Sequence, residues 1–510
     1  MGCGVLALWL FSLLTSTACY RLMQRQFTEQ SNPPIIMSHR SLRRLVYAAA
    51  LLAPALALQA ATHYVTLGES IQTKVDAATA GDTIIIFGGS YGENVTIGKQ
   101  LTLQRVAGES VFITGSVTYQ NITAAAATPL IISNLKIGGD SGKRLTLNNC
   151  TNVTLENLDL AIGGLVVNNT SNVVVETTAL GVFTGDSNAR IWVGNSTAVS
   201  ADMVKTELTL SRVKATGLVR MKNSDVGFTT RALNLLQCTL TNGTGNCVEV
   251  NGGKARLLYS KLSWTHLYHA SSDAVILGNT FKYGGRHPGG AIVVREGKAV
   301  IRNNEITIPG GGGEGREGSG IAGDAWNNGI FVESCDALIA NNYTHDFGGF
   351  PNGYDGDNDR NGVFVANVSI TKPVRIYGNI FGTGMRRPVY GPFGVDYSRN
   401  NDVPGVNGHA GGVISDNNIG GSPLFVNSAT GDYRLGVGSP CINAGPTFAW
   451  LNDRDTTRND IGLFGGAAYD PEGTTTSKPI TFLLQGTPLT VIKGVHPTLN
   501  ISGGGIVVGR

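Results

Sequence analysis

Residues 145–160 read LTLNNCTNVTLENLDL, and residues 165–180 read LVVNNTSNVVVETTAL. Aligned without a gap, the two share Leu, Asn-Asn, Asn-Val, Glu and the final Leu, and the differences include exchanges of Thr for Val. A self-similarity of twenty residues marks one supersecondary unit that cannot bury its apolar face alone, so successive copies must stack. From about Thr83 onward, short apolar or β-branched runs (TIIIF, LIISNLKI, VTLENL, VVVE) alternate with Asn, Gly, Ser and Asp, which is strand length followed by turn chemistry. An antiparallel sandwich also has strands and turns, but it does not bring Asn back at one phase of a fixed period.

The repeat therefore predicts an all-β solenoid built as a single array. Each strand pairs with the equivalent strand of the next coil at about 4.8 Å, so equivalent side chains stack. Stacked Asn amides are expected to hydrogen-bond along the axis, as they do in cross-β assemblies, while stacked Val, Leu and Ile fill the interior. Val153 and Val173 are placed at stacked interior positions of neighbouring coils.

Later coils repeat the theme with a fixed ending: VILGNTF at Val275, VIRNNEI at Val300, LIANNY at Leu338, VRIYGNIF at Val374 and VISDNNI at Val413. Here the chain resembles the pectate-lyase-like superfamily of right-handed parallel β-helices, whose coils carry this kind of Asn turn, over roughly residues 62–466. Both ends agree with that resemblance. An open solenoid exposes strand edges and needs caps, and SIQTKVDAATA (70–80) sets Ile71, Val75 and Ala78 on one face of a short helix that can cover the first coil. SPLFVNSATGDYRLGVGSPCINAG (422–445) and TRNDIGLFGG (457–466) resemble the final coils and closing turn of secreted bacterial β-helix proteins. Residues 467–510 read as a linker followed by a short β tail or cap.

Residues 38–61 have the layout of a secretory signal, with Arg40, Arg43 and Arg44 before an apolar run and small residues at its end. The run is shorter than the ~20 residues of a membrane-spanning helix, so a stable span is not expected. Met37 makes a natural start, which marks 1–36 as an over-extended beginning and 37–61 as the signal. Five Arg and one Glu lie in residues 1–61, so the formal charge of +3 falls to −1 for the remainder. No basic stripe is left to neutralise phosphates, and nucleic acid is not an expected partner. The expected location is secreted, periplasmic or on the cell surface. Cys150, Cys238, Cys247, Cys335 and Cys441 remain. They are read as small buried residues, although Cys238 and Cys247 are close enough in sequence to pair.

Three coils align as GAIVVREGKAVIRNNEI from Gly290, GIFVESCDALIANNY from Gly329 and GVFVANVSITKPVRIYGNIF from Gly362. Long segments interrupt them at one phase, after the Asn turn and before the next Gly-aliphatic strand: 282–289, 307–328, 344–361 and 382–411. Insertions at one phase leave a solenoid on one side, where they flank a continuous surface suited to binding. They supply Arg286 and His287, then Asp324 and Trp326, then His345 and Asp346, then Arg386, Arg387, Tyr390, Asp396 and Tyr397. Aromatic rings to stack on sugars, with guanidinium groups to pair with uronate carboxylates, suit an extended acidic polysaccharide or surface glycan. Asp355, Asp357 and Asp359 alternate as hard oxygen ligands that can surround Ca²⁺, although Arg360 and Ala366 stand where an EF-hand loop has Gly and Glu.

The family resemblance implies uronate lyases and carboxylate-using hydrolases. In a lyase, Arg286, His287, Arg386 and Arg387 are the candidate bases or carboxylate clamps. In a hydrolase, Asp324, Asp346 and Asp396 are conceivable members of a carboxylate pair. The remaining readings are a uronate epimerase, which shares the C5 chemistry, and a non-catalytic glycan-binding or adhesion protein.

Overall fold

A computed structural model describes residues 60–223, 231–242, 245–268, 273–282, 290–308, 328–347, 361–367, 371–385, 387–391, 398–399, 401, 410–411, 415–467, 469–470, 480–487 and 500–506 of the 510. Within them the chain winds as a three-sided parallel β-helix. The first ladder is a 16-stranded parallel sheet that runs from Thr62–Val65 to Ser415–Asp416, one strand per coil. The second and third ladders are merged into one 25-stranded sheet, because Ala179–Asp186 and Thr197–Val204 are long enough to run through both. The opening repeat is two successive coils: Leu145 pairs with Leu165 and Asn148 with Asn168 on the third ladder, and Val153 pairs with Val173 on the first. Both valines are 1% exposed, as expected.

The period-2 alternation decides which side chains enter the core. Leu145 and Leu147 are buried while Thr146 and Asn148 face outward, and Leu165 and Val167 repeat the pattern. One continuous apolar cluster runs along the interior from Val65 to Val389. The turns between ladders are tight because one residue at each adopts the left-handed region, which Asn tolerates better than other side chains. Asn121, Asn149 and Asn169 do so at one corner (φ 56°, 54° and 46°), and Asn157, Asn303 and Asn341 do so at another. Asn149 donates to Asn121 Oδ1 at 3.0 Å, Asn169 to Asn149 at 2.7 Å, and Asn172 to Asn152 at 3.0 Å.

A second Asn ladder lies inside. Asn279, Asn304, Asn342, Asn379, Asn401 and Asn418 each follow the corner between the first and second ladders. The Oδ1 of each of the last five accepts both the backbone N–H and the side-chain N–H of the rung before it, at 2.8–3.1 Å. In the Asn-Asn pairs of the later coils, 303–304, 341–342 and 417–418, the two letters thus have different duties. The first makes the turn and the second is an interior rung.

The N-terminal cap forms as expected. Helix α1 (Ile71–Ala77) buries Ile71 and Val75, and Ala78 just beyond it is buried too. Ser70 accepts from Thr73 N, and Glu93 accepts from Ile71 N at 2.6 Å and Gln72 N at 3.1 Å, which satisfies donors the helix itself leaves open.

The C-terminal end differs from the sequence reading. The ladders stop at Asp416. Phe425–Asn427 and Asp432–Leu435 then form an antiparallel hairpin, and residues 441–470 run back along the outside of the corner between the first and second ladders. Gly462 N donates to Gly378 O, Asn341 Nδ2 to Asn459 Oδ1 and Asp460 O, Asn303 Nδ2 to Leu463 O and Gly465 O, and Asp470 N to Tyr259 Oη. These motifs build a strap in place of further coils. Their turn residues resemble coil corners, but few apolar runs long enough for interior strands lie between them. Ile480–Thr487 and Asn500–Ile506 pair antiparallel.

All five described cysteines are buried, and Cys238 and Cys247 do not form a disulfide with each other. Burial pushes the Cys238 thiol up to about 11. Among the described residues, no helix is long and apolar enough to cross a membrane.

Candidate functional site

The predicted insertion phase is observed. Segments 283–289, 309–327 and 348–360 each connect a second-ladder strand (Thr280–Lys282, Glu305–Thr307, Tyr343–His345) to a third-ladder strand (Gly290–Arg295, Asn328–Glu333, Asn361–Ala366). They therefore leave along one edge of the third ladder. The fourth, 382–411, is not a single insertion. Arg387–Gly391 is a third-ladder strand, Ser398–Arg399 a first-ladder strand and Asn401 an interior rung, so a whole coil lies within it. The stretch DYSRNND has too few apolar residues for sequence reasoning to see that coil.

The outward positions of the third ladder form two regions. In earlier coils Asp202, Arg220 and Glu249 stack in register, with Lys222 beside them. Arg220 lies 3.5 Å from Asp202 and 3.4 Å from Glu249, and all four side chains are part-exposed. In later coils the same row becomes Val293, Phe331, Phe364 and Tyr390. The rings stack along the axis: Phe331 on Phe364 at 5.4 Å and 6°, and Phe364 on Tyr390 at 5.1 Å and 27°. A guanidinium closes each end, Arg295 over Phe331 at 5.5 Å and Arg387 over Tyr390 at 4.9 Å. Arg295 also pairs with Glu333 at 3.5 Å. Phe331 and Phe364 are only 6% exposed, so the column is a floor, and the accessible groups are the charged residues and Tyr390.

A separate titratable cluster sits on the second ladder. His345 stacks flat on Tyr343 at 4.1 Å and 12°, with Tyr433 edge-on at 5.1 Å. Its Nδ1 is 3.0 Å from Asp346 and its Nε2 is 3.4 Å from Glu305. The hairpin places Phe425 and Tyr433 over Tyr343, which leaves His345 3% exposed. Burial, followed by the Glu305 and Asp346 carboxylates, pushes the Tyr433 hydroxyl up to about 12. A histidine between two carboxylates has acid–base chemistry, and here it packs beneath the C-terminal hairpin against Tyr433.

Of the residues singled out from the sequence, Arg387 and Tyr390 meet on the third ladder, while His345 and Asp346 meet on the second. The two pairs belong to different faces, so no single site unites them. Arg286, His287, Asp324, Trp326, Arg386, Asp396, Tyr397 and the Asp355, Asp357 and Asp359 loop lie outside the described residues. Among the described residues, no group of three or more His, Cys, Asp or Glu side chains is placed to hold a metal ion. Sequence reasoning missed Arg295, Phe331, Glu333 and Phe364. The signal was available in the aligned coils GAIVVRE, GIFVESC and GVFVANV, where period-2 alternation assigns the large middle residues outward.

No protein-family model matches the sequence, and neither does any curated protein. Three solved structures are similar in fold. Pectate lyase Pel9A aligns at 14% identity over 79% of this chain and 96% of its own, with a TM-score of 0.27. The A-module of the Azotobacter vinelandii mannuronan C-5 epimerase AlgE6 aligns at 14% identity over 68% and 94%, with a TM-score of 0.37. The Streptococcus pneumoniae surface protein and adhesin PfbA aligns at 11% identity over 70% and 97%, with a TM-score of 0.28. The parallel β-helix itself is established by the three ladders on their own.

Proposed function

We propose that this is an exported protein that binds an acidic polysaccharide along the outside of the third ladder and cleaves it, as a lyase or a glycoside hydrolase. The observation that carries the reading is the outward strip of the third ladder. It runs from Asp202, Arg220 and Glu249 to Arg295 and Glu333, over an aromatic floor, and ends at the Arg387–Tyr390 contact. Residues on successive coils repeat at the strand spacing, so a polymer laid along the axis meets charged groups in the earlier coils and an aromatic floor edged by charged groups in the later ones. Guanidinium groups offer paired N–H donors to uronate carboxylates, and the carboxylates accept from sugar hydroxyls. The reacting groups of this proposal are sought among Arg286, His287, Asp324 and Trp326, which lie in the sequence segments that follow second-ladder strands and precede third-ladder strands, outside the described residues.

The test is incubation with polygalacturonate, alginate and a neutral glucan. Ultraviolet absorbance of an unsaturated uronate product reports elimination, new reducing ends without it report hydrolysis, and exchange of the C5 proton without cleavage reports epimerisation. Arg387→Ala is expected to lower turnover or affinity at least tenfold at unchanged melting temperature. Wild-type behaviour of that variant on a glycan the protein uses would put the site elsewhere. One observation favours the non-catalytic reading: Arg220 and Arg295 each lie within 3.5 Å of a carboxylate, which suits holding a chain more than abstracting a proton. Binding without any of the three reactions would select it.

A further inference from the structure

The strap presents two large aromatic side chains to solvent. Phe448 and Trp450 are 41% and 58% exposed and stack at 5.8 Å and 17°. Phe448 caps and Trp450 lies within a short 3₁₀ turn, Ala449–Leu451, whose Leu451 is fully buried against Ala340 and Tyr377. Phe448 also leans on Tyr377 at 5.6 Å. The pair is thus held from beneath on a braced turn, although burying such rings would be favourable.

Beside Phe448 lies a hollow of about 560 Å³, within the range of small-molecule sites. Polar groups share its walls with the ring: Asn417 and Asn418, Thr447 and Arg458. Arg458 is the one charged residue among the described lining groups. Its Nε and one Nη2 hydrogen are spent on the carbonyl oxygens of Gly445 (2.6 Å) and Ala444 (3.1 Å). That fixes the guanidinium by its side edge and leaves the Nη1–Nη2 edge as a fork for a carboxylate.

We propose that this hollow is a second glycan subsite, specific for a uronate residue. The pyranose ring lies against Phe448, Trp450 extends the platform to the neighbouring sugar, the carboxylate meets the end edge of Arg458, and hydroxyls meet Thr447 and Asn417. The strap covers the corner between the first and second ladders, which in a three-sided coil is opposite the third ladder. The subsite therefore faces away from the proposed groove and would let one molecule hold two glycan segments. It rests on the groove reading only for the choice of probes.

The test is calorimetric titration of the whole protein with tetragalacturonate and with cellotetraose, together with tryptophan fluorescence. Wild type is expected to bind tetragalacturonate with quenching of Trp450. Trp450→Ala and Arg458→Gln should each weaken this binding at least tenfold at unchanged melting temperature, and Arg387→Ala should leave the Trp450 signal intact. Wild-type affinity in both strap variants overturns the subsite, as does the absence of any Trp450-dependent signal. Loss in Trp450→Ala but not in Arg458→Gln, or equal affinity for cellotetraose, overturns the uronate assignment. An Arg387→Ala variant that keeps every other property would instead count against the groove and leave the subsite standing.

Discussion

Truncating Asn342 to Ala tests whether the interior Asn ladder stabilises the coils or only decorates them. Asn342 Oδ1 accepts from Asn304 N at 3.1 Å and from Asn304 Nδ2 at 2.9 Å. Its Nδ2 donates to Ile301 O, Ala340 O and Asn379 Oδ1 at 2.9–3.2 Å, and the residue is 1% exposed. Removal leaves two donors of Asn304 without their acceptor in a buried position, while Asn379 Oδ1 still accepts from the backbone N–H of residue 342. At about 1–3 kcal/mol for each orphaned buried group, the expected loss is about 4 kcal/mol. Because Asn149 also holds a left-handed turn and accepts from Asn169, Asn168→Ala is the cleaner control: it removes a similar amide–amide contact, Asn168 to Asn148 at 3.1 Å, from the outward side of an ordinary strand, where the expected loss is about 1 kcal/mol or less. The assay is urea unfolding by circular dichroism with hydrogen exchange over 298–308 and 328–345, because stacked repeats need not unfold in one step. Equal losses for the two variants, or a loss below about 0.5 kcal/mol for Asn342→Ala, would refute the assignment of stability to the interior rungs.

Three further outcomes are expected. Val153→Asp and Val173→Asp should each cost several kcal/mol in urea unfolding by burying an unpaired charge, whereas Val174→Asp, 40% exposed on the outward side of the same strand, should stay close to wild type. Burial, then the nearby Asp460 and Asp455 carboxylates, raise Asp453 in the strap to about 6. A raised folded pKa means that ionisation costs stability, so the free energy of urea unfolding should rise as the pH falls from about 7 towards 4, by on the order of 1 kcal/mol after discounting for partial exposure, and Asp453→Asn should flatten that rise. Finally, if Asp355, Asp357 and Asp359 share a cation, added Ca²⁺ should raise the melting temperature by mass action, and identical melting with and without chelator removes the proposal.

The coil register was legible because one face of every strand is buried, so a one-residue slip would turn Leu145 and Leu147 outward. The helix α1 was legible for a similar reason, since Ile71, Val75 and Ala78 share a helical face and Ser70 supplies a cap. Two features escaped. The coil through Arg387–Gly391 and Asn401 lacks a long apolar run, and its only strong marker was Asn at the rung position. The return of the strap was invisible because its contacts, such as Asn303 with Leu463 and Asn341 with Asn459, join residues more than a hundred positions apart. His345 was misplaced by the same blindness: the local sequence puts it at the head of an insertion, and only the hairpin that brings Tyr433 against it explains its burial.

The distribution of rung residues links the fold to the candidate site. At the corner between the first and second ladders the interior position is occupied in turn by Leu158, Thr178, Ser196, Val213, Cys238 and Ser260, and from there onward by Asn279, Asn304, Asn342, Asn379, Asn401 and Asn418. The change to Asn coincides with the coils that carry the long connections 283–289, 309–327 and 348–360. A long connection brings a growing closure entropy and removes the short turn that would otherwise hold adjacent coils in register. An Asn rung compensates, because it accepts two hydrogen bonds from the previous coil and donates to backbone carbonyls, whereas Thr178 or Ser260 accepts only one from the coil before. The strap adds a second brace to the same coils from outside, through Asn303, Asn341 and Gly378. Both braces act at the corner opposite the third ladder. The outward row from Arg295 to Arg387 therefore stands on coils braced twice, by the interior Asn rungs and by the strap, and groups on such a braced scaffold can be positioned for a ligand.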